Sequence, residues 1–429
     1  MTDLVIRGRR VLTPEGVRAA SVHIADGRIA RIGAWAEVPP GISVVDAGES
    51  IVMPGLVDTH VHINEPGRTE WEGFETGTRA AAAGGVTTIL DMPLNSIPAT
   101  TTVAALEAKR GAAQGKAVVN VEFIGGVVPG NVGELEALSD AGVRAFKCFL
   151  SPSGVAEFPA IGESDLRVAF PVLERLGLPL MVHAEDPACL LPGRGKSRVY
   201  GDYLATRPVA AERAAITLLA SLMARAPAPV HIVHLSSASS LDVVRTARES
   251  GLPLSVETCP HYLTFAAEEI PDGATEYKCA PPIREKAECD ALWDALIDGD
   301  IDLIASDHSP CPPKMKDTGG DFFSAWGGIA SLQVSLSAVW TGARGRGLKP
   351  EKIAQWMSAA PARLAGLQSR KGALAAGYDA DIVVWDPEAR FVVEPAELLH
   401  RHKVTPYAGR ELFGRVSATY VGGRRIFGR

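Results

Sequence analysis

Eight short apolar runs lie in the middle of this 429-residue chain, most of them separated by longer stretches with helical spacing. No other feature constrains the fold as strongly. The runs cover residues 56–63, 86–92, 118–124, 143–150, 179–183, 229–235, 254–257 and 301–306, and helical stretches such as 73–83 and 102–113 lie between most of them. Strands alternating with helices build parallel sheets, and eight such units predict an α/β fold of the (β/α)8 TIM-barrel type. A doubly wound open sheet is the competitor. Both chain ends read differently. Residues 4–6, 20–24 and 28–32 are short strand-like runs, with Asp26-Gly27 as a hairpin signal between the last two. Residues 381–385 and the pair Gly422-Gly423 continue that pattern near the other end. The expected organisation is a small β-sandwich domain from residues 1–52 plus 372–429, around a hydrolase barrel of residues 53–371.

In such barrels the active site lies at the C-terminal ends of the strands. The first run ends in Asp58-Thr59-His60-Val61-His62, and strand period two puts His60 and His62 on one face. The fourth carries Lys147 between Phe146 and Cys148. The fifth ends at His183, the sixth at His234 and the eighth at Asp307. A single histidine at a strand end is ordinarily a satisfied polar residue, and a single aspartate ordinarily a cap. Four histidines, a lysine and an aspartate at the same end of different strands have no common structural reason. His231 lies three residues before His234, faces the other way and reads as structural. His23, His400 and His402 fall in or near the terminal β regions and take no ligand role, and His308 is a candidate only for outer support.

Imidazole and carboxylate suit zinc and similar divalent ions. Six side chains exceed one tetrahedral zinc but fit two ions per subunit, with cobalt, manganese and nickel as alternatives to zinc. A lysine in an apolar strand is costly to bury charged. A neutral amine can instead take up carbon dioxide, and the resulting carbamate on Lys147 could bridge two metals. A hydroxide held between them is a nucleophile at neutral pH, and Asp307 could carry its proton to a leaving nitrogen. The expected chemistry is metal-assisted hydrolysis of an amide-like bond.

Composition excludes other classes. The net charge is -7 with no basic stripe, so nucleic acid is not an expected partner. No run reaches the roughly 18 apolar residues of a membrane helix. The N-terminal MTDLVIRGRR lacks a signal-peptide core, which points to the cytoplasm. The six cysteines form no CxxC pair and read as reduced, mostly buried thiols.

The segment Pro54 to His62 with Lys147, His183, His234 and Ser306-Asp307-His308 resembles the amidohydrolase superfamily, in its dihydroorotase, dihydropyrimidinase and allantoinase branch. Lys371-Gly372 with Gly377, Asp379 and Asp381 matches as well. The resemblance covers essentially the whole chain. It implies His60 and His62 on one ion, His183 and His234 on the other, carboxylated Lys147 between them and Asp307 as ligand and base. Tetramers are common in the branch, which implies a homotetramer. Local motifs at Asn64-Glu65-Pro66-Gly67-Arg68, Asp91-Met92-Pro93-Leu94-Asn95, Cys259-Pro260-His261-Tyr262 and the run from Ser309 to Lys316 are similar to those of the allantoinase family. So is Ala325-Trp326-Gly327-Gly328, while the run from Lys278 to Arg284 fits the whole branch. By resemblance, Cys279, Ala280, Cys311, Trp326 and Gly327 lie at the substrate, Ala280 through its backbone. The implied substrate is allantoin, opened to allantoate in purine breakdown.

Dihydroorotases typically carry Arg at the position of Asn64 and His at that of Cys311, both holding the substrate carboxylate. Neither residue here is cationic. An anionic ring would lose charge-assisted bonds worth roughly 1.5–3 kcal/mol each, whereas a neutral hydantoin needs no such clamp. Asn64 and Asn95 could bond a ureido or imide edge. A hydantoinase or dihydropyrimidinase is the nearest rival, dihydroorotase the next, and a non-catalytic scaffold of the same fold is remote.

Overall fold

The computed structural model describes residues 2–193 and 195–428. Eight strands run through its centre in chain order: Leu56–Val61, Val86–Asp91, Asn120–Phe123 continued by Gly125–Gly126, Phe146–Phe149, Leu180–His183, Val230–Ile232, Leu254–Thr258 and Leu303–Ile304. Each pairs in parallel with the next. The third is interrupted at Ile124, so that Asn120–Phe123 pairs back to the second strand while Gly125–Gly126 pairs forward to the fourth. The circuit closes where Val61 bridges His308 and the His62 N–H donates to the His308 carbonyl at 2.9 Å. All six residues of the first strand and all six of the second are buried. That explains their nearly continuous apolar runs, because helices cover one face and the barrel interior the other.

A helix follows each strand on the outside, among them Phe74–Ala83, Val103–Ala113, Glu163–Leu176, Val209–Met223 and Lys286–Asp298. Glu163–Leu176 shows why the sequence folds so. Leu166, Ala169, Phe170 and Leu173 recur at helical spacing and are its buried stripe. Asp165 accepts the Gly162 N–H at 3.0 Å at its start, and Gly177, left-handed at φ 67°, ends it.

The terminal strands form one hydrogen-bonded network. Its order is Arg424–Gly428, Glu411–Val421, Ile382–Val392, Ile51–Pro54, Leu4–Thr13, Gly16–Ala25 and Arg28–Ala34, with Ser43–Asp46 also on Leu4–Thr13. Ile51–Pro54 joins the two chain ends, antiparallel to Ile382 through Trp385 and parallel to Arg10 and Val11. It ends one residue before the barrel begins. Its inner face packs Ile6, Val22, Ile24, Val52, Ile382 and Val384 into a core of its own. Both hairpin signals hold: Asp26-Gly27 and Gly422-Gly423 have positive φ in the two turns. The late Lys371, Asp379 and Asp381 cluster is structural. Lys371 pairs with both carboxylates, and Asp381 accepts from Asn120 of the third barrel strand at 2.9 Å, tying the terminal sheet to the barrel.

Candidate metal and substrate site

The six side chains that the strand ends predict do converge, and the two nitrogens of each ring show how. His60 puts Nδ1 2.6 Å from the Glu257 carboxylate, which leaves Nε2 facing Asp307 Oδ1 at 3.3 Å. His62 turns Nδ1 to Asn95 Nδ2 at 3.4 Å and Nε2 to the same Asp307 oxygen at 3.4 Å. His183 gives Nε2 to Glu185 at 2.7 Å and points Nδ1 at His234 Nε2, 3.1 Å away. The His60 and His234 rings stand 5.4 Å apart, so the two halves adjoin. With both glutamates ionised, His60 Nδ1 and His183 Nε2 carry the protons, and the inward nitrogens keep their lone pairs.

His60, His62 and Asp307 thus form a buried group whose ligand atoms lie within 4.8 Å of one another, able to hold a metal ion. Burial pushes the His62 imidazole down to about 4 against the pull of Asp307, and it lowers His183 as well. Burial, with His183 and Lys147 nearby, holds His234 well below its ordinary value. These rings are neutral at pH 7, the form that binds metal. Burial opposes the charge on Asp307, yet His60, His62 and His234 outweigh it and keep the carboxyl ionised. Ser309 Oγ donates to Asp307 Oδ1 at 2.8 Å and fixes its rotation.

Lys147 is wholly buried, and its Nζ finds no hydrogen-bond partner among the described residues. Burial pushes it down to about 8, although Asp307 and Glu257 pull the other way. An amine in that state is partly neutral at physiological pH, as uptake of carbon dioxide requires. His234 Nδ1 is likewise unpartnered among the described residues. The donor set and the unpaired amine fit a pair of divalent ions with a carbamate between them.

Backbone strain marks the same place. Five non-glycine residues have positive φ among the described residues. Four of them are Asn64 at 65°, Asn95 at 66°, His234 at 41° and Asp307 at 44°; the fifth is Asp26 in its hairpin. Such conformations persist where the surroundings over-determine them and cluster at functional sites. They also explain why the ladders stop short of the predicted strand ends, since the chain turns at His234 and Asp307.

Above these groups opens a cavity of about 650 Å³, of the size that holds small molecules. Asn95, Cys279, Ala280, Trp326 and Gly327 line it, with His60, His62, His183, His234 and Asp307 on its floor. Asn64 and Cys311, both expected at the substrate, are not among the residues that line it. Asn64 Nδ2 donates to the Pro310 carbonyl at 3.4 Å, and the buried Cys311 thiol sits by Lys316.

Several residues of the site carry no obvious sequence signal. Glu257 receives His60 and also His231 Nε2 at 3.0 Å, so the structural His231 supports the carboxylate that orients a candidate ligand. Glu185 receives His183 and Arg207 Nε, the latter at 2.9 Å. Burial opposes both charges, but the histidines, with Arg207 for Glu185, hold both carboxyls at about 2. The available clue was a glutamate at the end of an apolar strand run. His308 supports from outside through its carbonyl on the His62 N–H and through Nε2, 3.5 Å from Glu72.

This barrel and this inward cluster of histidine and carboxylate are those of a hydrolase with a candidate metal site, and the chain belongs to the amidohydrolase family, whose model matches residues 51–426. It is 53% identical over 427 residues to an allantoinase of Streptomyces avermitilis, covering 99% of this chain and 95% of that one. An allantoinase of Arabidopsis thaliana is 44% identical over 444 residues, covering 99% and 88%. In structure the chain is similar to an L-hydantoinase (dihydropyrimidinase) from Arthrobacter aurescens, with a TM-score of 0.94 and 31% identity, covering 100% and 96%.

Proposed function

We propose that this chain hydrolyses the hydantoin ring of allantoin at an amide bond and releases allantoate, as part of purine breakdown. The observation that carries this is the convergence of four imidazoles, Asp307 and the unpaired Lys147 amine beneath a small-molecule cavity, in a chain 53% identical to an allantoinase. In this reading His60, His62 and Asp307 would hold one ion, His183 and His234 the other, and Lys147, once carboxylated, would serve as a ligand to both. Two divalent ions there, zinc by preference, would supply an acidified water and a Lewis acid for the scissile carbonyl.

The chain's own residues do the rest. Asp307, kept ionised and turned by Ser309, takes a proton on its carboxylate and returns it to the leaving ring nitrogen. Asn95, on the cavity wall beside His62, orients an imide or ureido edge. Asn64 shapes the turn behind it. The strip Cys279-Ala280 and the strip Trp326-Gly327 form adjoining parts of the wall and exclude water. The absence of a cation at Asn64 and Cys311 disfavours a carboxylate-bearing ring.

Three further elements belong to the same reading: a division into residues 1–52 plus 372–429 and residues 53–371, a homotetrameric assembly, and a cytoplasmic location. Among the described residues no helix is long and apolar enough to cross a membrane.

A second reading, hydantoinase or dihydropyrimidinase, is favoured by the likeness to the Arthrobacter aurescens L-hydantoinase. Metal-loaded protein incubated separately with allantoin, hydantoin, dihydrouracil and dihydroorotate separates the readings by kcat/KM. Allantoin should lead by at least about tenfold, roughly 1.4 kcal/mol of transition-state binding. A lead for dihydrouracil or hydantoin overturns the substrate and leaves the hydrolase chemistry standing.

A further inference from the structure

Two lysines other than Lys147 are buried beside the cavity, and both serve backbone carbonyls. Lys278 Nζ donates to the carbonyls of Phe323 at 3.0 Å and Ala325 at 2.5 Å. Lys316 Nζ donates to the carbonyls of Thr275 at 3.2 Å and Lys278 at 3.0 Å. The knot is closed by three more bonds: Gly328 N–H to the Lys278 carbonyl at 2.9 Å, Thr275 Oγ to the Lys316 carbonyl at 2.6 Å, and Trp326 N–H to the Met315 carbonyl at 2.9 Å. Lys278 is 8% exposed and Lys316 6%.

These bonds join two segments with little regular structure. One leads through Lys278 into Cys279-Ala280, and Tyr203 Oη holds the Cys279 carbonyl at 2.8 Å. The other runs from the short helix Pro313–Met315 to Trp326-Gly327. A Cβ at Gly327 would lie 3.9 Å from the Cys279-Ala280 peptide, an ordinary van der Waals separation, so the two strips adjoin. Four of the residues assigned to the substrate wall, Cys279, Ala280, Trp326 and Gly327, therefore owe their relative position to Lys278 and Lys316. The outer side of the same strip is held by Trp326 packed edge-on against Trp71 at 4.9 Å. Among the described residues, the hydrogen bonds of both lysines go to backbone carbonyls and none to His60, His62, His183, His234 or Asp307.

We propose that Lys278, supported by Lys316, is a positioning residue for substrate selectivity: it fixes the wall that meets the substituent of the hydantoin ring and leaves the hydrolytic centre untouched. The proposal rests on the reading of this site as one for a 5-substituted cyclic amide. A wall held by an ammonium on two carbonyls keeps its shape without a helix or sheet. Loss of that ammonium leaves the carbonyls of Phe323 and Ala325 buried and unpaired, and the strip must move to find water. An unsubstituted ring makes little use of the wall, so it should feel the change least.

The test compares Lys278→Met and Lys278→Arg with wild type, all metal-loaded, on allantoin and on unsubstituted hydantoin. Lys278→Met should raise KM for allantoin at least about tenfold while kcat falls less, the signature of lost ground-state and transition-state binding alike. Its preference for allantoin over hydantoin should fall in step, and metal content per chain should stay at the wild-type level. Lys278→Arg, which can still donate to both carbonyls, should recover most of the loss. If Lys278→Met does not accumulate as folded protein, Lys278→Gln is read in the same assays and should show an intermediate KM. A folded variant with wild-type KM and selectivity overturns the proposal. So does loss of metal and kcat together at unchanged KM. Failure of the allantoin reading shows separately, as a wild-type enzyme that does not open allantoin; the proposal is then judged by KM on the best substituted ring.

Discussion

Replacing Glu257 should loosen the metal site without touching a metal ligand. The carboxylate is fully buried and accepts from His60 Nδ1 at 2.6 Å and from His231 Nε2 at 3.0 Å. In Glu257→Ala the His60 ring loses the acceptor that fixes both its rotation and its tautomer. A hydrogen bond to a charged group is worth about 1.5–3 kcal/mol, and about 1.4 kcal/mol is a factor of ten. Metal affinity should therefore fall about 10- to 100-fold, the range found when partners of ligating histidines are removed. Glu257→Gln is a sharper probe. Its amide oxygen can still accept from His60 Nδ1, and its NH2 can donate to His231 Nε2 once His231 passes its proton to Nδ1 and the Ser255 hydroxyl, 2.8 Å away. The opposite amide orientation would force the His60 proton onto Nε2, the atom that faces Asp307, and destroy the ligand. The glutamine should thus settle in the first orientation and lose about tenfold, between wild type and alanine. Bound metal per chain is measured by atomic emission after equilibration against a chelator of known affinity. Thermal denaturation of the stripped proteins checks the fold. An alanine variant that holds metal within about threefold of wild type would refute the argument.

Lys147→Ala should lose both metal and activity, and short carboxylic acids in the assay should restore part of the activity by standing in for the proposed carbamate; full activity without them would exclude a bridging role. Asn95 has φ 66°, so Asn95→Gly should keep the turn and lose mainly substrate affinity. Asn95→Ala should melt lower than Asn95→Gly, because a Cβ in the left-handed region costs about 1–2 kcal/mol; equal melting points would contradict the strain. The acid limb of stability follows from Glu185 and Glu257, both held at about 2 against an ordinary 4.5. A depressed folded pKa contributes stability that is complete above the unfolded value and lost as pH falls through the folded one. Urea midpoints of metal-free protein should fall between about pH 4.5 and 2, less steeply in Glu257→Gln; parallel slopes would remove Glu257 from the account.

What the sequence shows of this protein depends on how far a pattern reaches along the chain. Most barrel strands are legible because they are buried on both faces, so the apolar run is a local record of the fold; the half-buried Asn120–Phe123 is the exception. His60 and His62 are legible because strand period two carries them to one side, and both Nε2 atoms do meet Asp307. His234 and Asp307 are legible as residues but not in orientation, since left-handed φ at 41° and 44° ends the alternation from which facing is counted. Glu257 illustrates the limit. It looks like a polar residue at a strand end, and what makes it part of the site is His60, 197 positions earlier in the chain. Lys278 and Lys316 stand in recognisable runs, but their role is hidden for a different reason. Their partners are backbone carbonyls, which every residue has, so no residue type in the sequence announces them. The metal-facing atoms of such a site are specified by side-chain identity and can be read. The groups that orient them are specified by where distant segments meet, and they become visible only when each buried ring nitrogen and each buried carbonyl is asked for its partner.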